Sequence, residues 1–249
     1  MVTGASFGIG EATTLLLASA GAEVILVARS AGKLDELVAR ITADGGRATA
    51  YAADLYRVDE VPALAARIEA VHPRIDVVVL NAGKSIRRRV TASFGRDDLE
   101  RSIALNFASP AALTMALLPR MIAQGGGQLV SVSTVSALQP GAPRWGTYQG
   151  SKGGFDIWLR SIATELRPQH ITVTSVYMPL VRTRMSASTP FYDRLPALTT
   201  HEAAQVVARA LVRRGDRVAP WWLWWGQLGD LLLRTPVDRA LTFLDRRTR

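Results

Sequence analysis

The feature that most constrains this fold is an alternation of short apolar runs with longer amphipathic segments. The apolar runs have the length of buried strands, and the segments between them have the length and periodicity of helices. A chain that repeats strand, helix and strand forms a parallel sheet with helices on both faces. The sequence therefore predicts an α/β fold, with a doubly wound Rossmann-like sheet. Strands are predicted at 23–28, 48–52, 77–80, 128–132 and 172–176, and helices near 10–19, 33–43, 58–70, 99–122, 147–166 and 201–213.

The length of 249 residues suits one such domain, and no repeat or linker divides the sequence. We expect a single domain over 1–249, with an apolar, tryptophan-rich segment over 218–249. Only Met1 and Val2 precede the turn that begins at Thr3, so the first strand is predicted to be truncated at the N-terminus. Either residues of a central strand are missing, or the assigned start lies too far downstream.

A glycine-rich turn lies between this strand and the first helix, with the sequence Thr3-Gly-Ala-Ser-Phe-Gly-Ile-Gly10. Glycine permits a tight turn and lets a pyrophosphate approach the backbone, and the N-terminus of the following helix attracts the phosphates. The alternative is an ordinary turn between a strand and a helix. The residues predicted to bind a dinucleotide here are Gly4, Ser6, Gly8, Ile9 and Gly10.

The second predicted strand ends at Ala28, and Arg29 follows it. A chain that binds NAD would carry an acidic residue here for the ribose 2′-hydroxyl. An arginine instead suits a bidentate grip on a 2′-phosphate, which predicts NADP(H) as the cofactor. The alternative is a surface arginine, because the chain is rich in arginine.

Tyr148 and Lys152 are four residues apart in a predicted helix, so both side chains lie on one face. A phenol with its usual pKa of about 10 is a poor base at neutral pH. A neighbouring lysine cation would favour the phenolate and lower that pKa. The pair therefore predicts a group that exchanges a proton with substrate.

Three motifs together resemble the short-chain dehydrogenase/reductase family: the glycine turn, Asn81-Ala82-Gly83, and Tyr148-x-x-x-Lys152. They stand in the family's order and spacing, and the similarity extends to at least Thr183. The resemblance implies hydride transfer between a nicotinamide and a carbonyl or alcohol carbon, with Tyr148 as proton donor and Lys152 on the nicotinamide ribose. It further implies that Asp54 and Leu55 lie near the adenine ring, that Asn81, Ala82 and Gly83 support the cofactor, and that Asn106 holds a water in a proton relay.

Two positions depart from the family pattern. Thr134 stands where the family has its catalytic serine, and it carries the same hydroxyl with an extra methyl group; Ser136 is the alternative. After the last predicted strand the chain reads Pro179-Leu180 where the family has Pro-Gly, so Leu180 removes the conformational freedom of a glycine. Pro179 and Thr183 are still expected at the cofactor site, with Thr183 bonded to the nicotinamide carboxamide.

The C-terminal part bears on the substrate. The stretches 178–204 and 217–233 are similar to bacterial members of that family that act on long-chain fatty acyl-CoA or fatty aldehyde, which implies a lipophilic substrate. Trp221-Trp-Leu-Trp-Trp225 resembles an interfacial segment. Either it makes a peripheral membrane contact, or it is a substrate lid or subunit contact packed on the core. Gly229 and Pro236 predict that no single uninterrupted helix covers this region.

The net charge of +9 comes almost wholly from arginine, and part of the excess lies in the tail 245–249, which is expected to be solvated. We therefore expect no nucleic-acid partner. The chain lacks cysteine and its three histidines are scattered, so no metal site is predicted. No signal peptide is visible and no stretch reaches the roughly 18 apolar residues of a membrane span. A cytoplasmic location is expected, and the family resemblance implies a homo-oligomer.

These observations lead to one principal hypothesis, an NADP(H)-dependent oxidoreductase that acts on a lipophilic carbonyl or alcohol substrate. A nucleotide-binding regulatory protein of the same fold, without the chemistry, is the alternative. A third hypothesis, a membrane scaffold, depends on the tryptophan cluster alone.

Overall fold

The computed structural model describes residues 1–139 and 141–247 and has a seven-stranded parallel sheet at its centre. The strand order is β3-β2-β1-β4-β5-β6-β7, which reverses direction between β1 and β4. In such sheets the ligand crevice lies outside the carboxyl ends of the strands at that reversal. The predicted doubly wound fold is confirmed. The strands are β1 (Val2–Thr3), β2 (Glu23–Ala28), β3 (Arg47–Ala52), β4 (Val77–Leu80), β5 (Gly127–Thr134), β6 (Ile171–Met178) and β7 (Arg217–Val218).

Helices cover both faces of the sheet, and the strands are apolar on both sides for that reason. In β2, Val24 and Leu26 contribute to one core cluster, while Ile25 and Val27 contribute to the other. This alternation follows from the two-residue period of a strand. The helices are α1 (Gly8–Ser19), α2 (Ala31–Ala43), α3 (Val61–Val71), α4 (Asp98–Ile103), α5 (Ser109–Ala123), α6 (Gly146–Leu166), α7 (Arg184–Ala187), α8 (Thr200–Arg213) and α9 (Leu223–Arg247).

The first strand is short, as the sequence predicts, yet it occupies the middle of the sheet. Val2 pairs with Leu26 of β2 on one side and with Val79 of β4 on the other. Its side chain is almost fully buried. Two residues therefore suffice to place the glycine turn at the carboxyl edge of the sheet, between the neighbours that form the crevice.

The predicted helix over 99–122 is interrupted in the structure. It consists of α4, one π-helical turn over Ala104–Ala108, and α5. The whole run Asp98–Ala123 is long and apolar enough to span a membrane, with a mean hydropathy of 1.4, so the expectation that no stretch reaches this length is wrong. A core helix passes the same test, and here Leu113, Leu117 and Met121 are buried in the core.

The C-terminal helix α9 is kinked at Leu233, whose φ of −122° and ψ of 27° are not helical. Pro236 explains the break, because its ring excludes the carbonyl group four residues earlier. The prediction that no uninterrupted helix covers this region is confirmed. The tryptophans at 221, 222, 224 and 225 are exposed, so their side chains do not pack on the core of this chain.

Part of the tail that was predicted to be solvated instead contacts the rest of the protein. Asp245 is largely buried and accepts hydrogen bonds from the guanidinium groups of Arg89, at 2.7 Å and 3.0 Å, and Arg144, at 3.2 Å. The far end of α9 is thereby attached to the loops after β4 and before α6. Thr248 and Arg249, which belong to the same predicted tail, lie outside the described residues.

Candidate active site

The glycine turn joins β1 to α1 in a conformation that requires glycine. Gly4 and Gly8 have φ of 67° and 64°, in the left-handed region. A Cβ atom on Gly10 would overlap the carbonyl oxygen of Gly4, so the turn can close only without a side chain there. Phe7 precedes α1 and has no side-chain oxygen with which to cap the free N–H groups of the first helical turn. These groups are available to an anion, which fits the phosphates of a dinucleotide.

Asn81 holds this turn against the end of β4. Its side-chain Nδ2 donates to the carbonyl oxygens of Thr3, at 2.9 Å, and Gly4, at 3.3 Å. In return the Thr3 hydroxyl oxygen accepts from the backbone N–H groups of Asn81, at 3.0 Å, and Ala82, at 3.1 Å. The position of Asn81 at the end of a neighbouring strand thus fixes the turn that was predicted to bind phosphates.

Gly83 connects this region with the Tyr148-x-x-x-Lys152 helix. A Cβ atom on Gly83 would lie 3.2 Å from Nζ of Lys152 and 3.2 Å from Oδ1 of Asn106. The glycine turn, Asn81-Ala82-Gly83, Asn106 and Lys152 therefore form one contiguous site, although they come from four separate parts of the chain.

Asn106 lies in the π-helical turn and is completely buried. Its Oδ1 accepts from the backbone N–H of Lys84 at 2.8 Å, and its Nδ2 donates to the carbonyl of Lys84 at 2.9 Å and to the hydroxyl of Ser151 at 3.0 Å. Such π turns often occur at functional sites, because the extra residue shifts a side chain out of the regular helical register. Asn106 links the loop after β4 to the residue that precedes Lys152.

Lys152 is buried beside the sheet, and its Nζ donates to the carbonyl of Val132 in β5 at 3.2 Å. Burial lowers the pKa of this ammonium group to about 8. The lysine therefore changes protonation state near physiological pH, within the group of residues predicted to relay protons.

Tyr148 lies near the hydroxyl predicted to orient a substrate carbonyl. The hydroxyl of Thr134 is close enough to influence the pKa of the phenol, and its Oγ1 lies 2.9 Å from the Oγ of Ser136. Burial raises the pKa of Tyr148, the Thr134 hydroxyl lowers it in part, and its neighbour Tyr192 raises it further. The expected lowering of the Tyr148 pKa is wrong for the protein by itself, because the loss of hydration on burial is the largest influence and raises it. A phenol of this kind stays protonated at neutral pH and is suited to donate a proton.

Thr183 lies next to the glycine turn, at Gly8. A Cβ atom on Gly8 would lie 3.3 Å from the Cγ2 methyl of Thr183. Thr183 also caps α7, since its Oγ1 accepts from the backbone N–H of Ser186 at 3.3 Å. Pro179 is half-buried just after β6. Leu180 is not among the described non-glycine residues with positive φ, so the turn after β6 does not need the glycine that the family pattern has there.

The residues predicted for the adenosine half lie at the ends of β2 and β3. Arg29 is exposed, and its guanidinium carbon lies 5.9 Å from the ring centroid of Tyr56. Oδ1 of Asp54 accepts from the backbone N–H of Tyr56 at 3.1 Å. Leu55 has its side chain in the core, so only its backbone can face a cofactor. Tyr56 was not predicted, and its place directly after Asp54 and Leu55 was the only available signal.

Two further aromatic residues escaped the sequence analysis. The indole of Trp145 stacks on Tyr192, with ring centroids 6.1 Å apart, and meets Tyr148 edge-on at 6.0 Å. The guanidinium carbon of Arg87 lies 6.0 Å from the centroid of Trp145. Together these side chains form an aromatic wall beside the phenol. Trp145 lies three residues before Tyr148, and this proximity could have identified it.

Similarity to known proteins agrees with this geometry. The family model described as short chain dehydrogenase matches residues 1–191. A fatty acyl-CoA reductase of Acinetobacter baylyi is 40% identical over 220 residues, 88% of this chain and 74% of that protein. A fatty acyl-CoA reductase of Mycobacterium tuberculosis is 39% identical over 221 residues, 88% of this chain and 75% of that protein.

A solved structure has the same fold. The metagenomic short-chain oxidoreductase in complex with NADP has a TM-score of 0.75 at 31% identity, and the match covers 88% of this chain and 94% of that one. The glycine turn, the Asn-Ala-Gly segment and the tyrosine–lysine pair meet in one place, as the resemblance implies. This chain therefore belongs to the short-chain dehydrogenase/reductase family of oxidoreductases.

Proposed function

We propose that this protein is an NADP(H)-dependent reductase of a lipophilic carbonyl substrate of the fatty acyl or fatty aldehyde type. The observation that carries the proposal is that buried Lys152 and Asn106 meet the segment 81–83 beside the glycine turn, with the protonated Tyr148 phenol on the same helix as Lys152. The bound cofactor would supply the hydride. The chain's own residues position the carbonyl and deliver the proton.

Thr134 and Tyr148 are the groups that would hold the substrate oxygen. The raised pKa of Tyr148 keeps its proton available until negative charge develops on that oxygen. Lys152, with a pKa of about 8, is the next group able to exchange a proton. Asn106 lies beside it and connects the site to the loop after β4. Its role in a relay to water stays a prediction.

The cofactor preference depends on Arg29. Its exposed guanidinium lies at the end of β2, beside the ring of Tyr56, where it can reach a 2′-phosphate. The NADP complex of the similar metagenomic oxidoreductase supports this assignment. Arg29→Asp replaces an attractive charge with a repulsive one. We expect it to shift the ratio of kcat/KM for NADPH over NADH toward NADH by at least about tenfold, with Lys33→Asp on α2 as the charge-matched control. An unchanged ratio would remove Arg29 from the site.

The lipophilic substrate is supported by the two fatty acyl-CoA reductases, which are 40% identical over 220 residues and 39% identical over 221 residues. The aromatic wall of Trp145 and Tyr192 agrees with an apolar chain that lies next to the reacting carbon. A homo-oligomer and a cytoplasmic location remain predictions of this proposal.

The proposal is tested by Tyr148→Phe, with Tyr51→Phe as the matched control outside the site. NADPH oxidation is measured with hexadecanoyl-CoA, hexadecanal and shorter aldehydes. We expect Tyr148→Phe to reduce kcat by about 10²- to 10⁴-fold while NADPH binding, followed by fluorescence, changes little. Full turnover by Tyr148→Phe would refute the proton donor. NADPH binding without turnover of any carbonyl by the unaltered protein would favour the regulatory protein instead.

A further inference from the structure

The first half of α9 and the turn before it carry an apolar face that points away from the protein. We define the tryptophan stripe as Trp221, Trp224, Trp225, Leu231 and Leu232. Each of these side chains exposes between 59% and 80% of its surface. Large apolar side chains in one contiguous patch are unusual on a soluble surface and mark an interaction site.

Contacts made by the opposite side of the same helix fix the orientation of the stripe. Leu223 is completely buried, and Oε1 of Gln227 accepts a hydrogen bond from Arg217 at 2.9 Å. Leu223 and Gln227 therefore contact the rest of the protein, whereas the side chains of the stripe are exposed. Turning the stripe inward would remove Leu223 from the core, so the exposed face is a stable property of the fold.

Charge indicates which partner covers the stripe. Beyond the kink, Arg234 and Arg239 are exposed, and so is Phe243, which shares a helix face with Arg239. Among the described residues, no carboxylate lies within ion-pair distance of Arg234 or Arg239. Tryptophan and leucine followed by arginine are typical of a helix that lies in the headgroup layer of an anionic membrane.

A second copy of the chain is a poorer occupant. A two-fold contact through this face would bring together two copies that each carry a net charge of +9. An anionic lipid surface instead attracts Arg234 and Arg239 while it removes the stripe from water.

We propose that α9 docks on an anionic lipid surface, with the tryptophan stripe at the boundary between headgroups and acyl chains and with Arg234 and Arg239 on the headgroups. Such a surface lies where lipophilic substrates are dissolved. The docking does not depend on the reaction and would stand if the proposed substrate were wrong.

The experiment uses the full chain and two kinds of vesicle, one of phosphatidylcholine and one of equal parts phosphatidylcholine and phosphatidylglycerol. Co-sedimentation gives the partition coefficient, and tryptophan emission reports transfer out of water. We expect binding to the anionic vesicles with a blue-shifted emission. Trp224→Ser/Trp225→Ser should reduce partitioning by about tenfold or more. The matched control Val71→Ser/Val212→Ser removes two exposed apolar side chains from other helices and should bind like the parent.

The arginines have a separate test. Arg234→Gln/Arg239→Gln should weaken binding to the anionic vesicles by about 25-fold, since each arginine near such a surface contributes about fivefold. Equal binding by the stripe variant and its control would overturn the proposal, and so would equal binding to the two kinds of vesicle. A stripe variant that dissociates an oligomer in sedimentation velocity, while the parent ignores vesicles, would show that a second copy covers the stripe.

Discussion

Lys152 should make the fold less stable at neutral pH, and Lys152→Met tests this directly. Its side chain is buried, and burial lowers the pKa of the ammonium from the usual 10.5 to about 8. This difference corresponds to about 3 kcal/mol, by which the charged lysine destabilises the folded protein at any pH below about 8. Methionine has nearly the same length and carries no charge, so it removes this cost.

The substitution also removes one favourable contact. Nζ of Lys152 donates to the carbonyl of Val132, and loss of that hydrogen bond costs about 1 kcal/mol. The net expectation at pH 7 is a variant that is more stable than the parent by about 2 kcal/mol. In a chain of this length this free energy corresponds to a rise in Tm of about 4–8 °C. The same variant should lose turnover, because it lacks the group that follows Tyr148 in the proposed proton path.

The lowered pKa of Lys152 also predicts how the stability difference changes with pH. Between pH 8 and 10.5 the unfolded chain still binds the Lys152 proton that the folded chain has released, so the stability of the parent rises through this interval. The advantage of Lys152→Met should therefore shrink above pH 8 and reverse near pH 10.5. The assay is urea unfolding of the cofactor-free parent and variant at a series of pH values. Subtracting their free energies of unfolding removes the contribution of the titratable groups that both proteins share. The reasoning would be refuted if Lys152→Met were less stable than the parent at pH 7. It would also be refuted if the difference between their free energies of unfolding did not change with pH.

Two further changes test other contacts. Asp156 is buried and accepts hydrogen bonds from Ser175, at 2.9 Å, and from Tyr177, at 2.8 Å. Burial raises the pKa of Tyr177 to about 12, and the charge of Asp156 is the next cause. Asp156→Ala should lower the free energy of unfolding by about 3 kcal/mol in urea titrations, because buried hydroxyls lose their acceptor, and a loss below about 1 kcal/mol would contradict it. Asp245→Asn weakens the attachment of α9 to the loops beside the active site. Limited trypsin digestion of α9 should become about fivefold faster with little change in global stability, and an unchanged rate would show that Asp245 does not hold the helix.

The sequence predicted which motifs come together in the fold, but it did not predict their electrostatics. Glycine spacing and the tyrosine–lysine interval are local patterns, and local backbone geometry converts them into structure with little help from the rest of the chain. The proximity of Thr134 to Tyr148 is less local, because it depends on how β5 and α6 approach each other. Sequence reasoning could only choose Thr134 over Ser136 by alignment, and in the structure the two hydroxyl oxygens lie 2.9 Å apart.

The sequence by itself determined the parallel α/β architecture and the glycine turn, because the two-residue and 3.6-residue periods and the steric properties of glycine operate within a few residues. Only the tertiary structure decided the direction of the Tyr148 pKa, the burial of Asp245 and the exposure of the tryptophans at 221–225. Each of these depends on hydration, and a side chain's hydration is set by distant segments that fold against it. The residue pattern of one segment does not specify which distant segments pack against it.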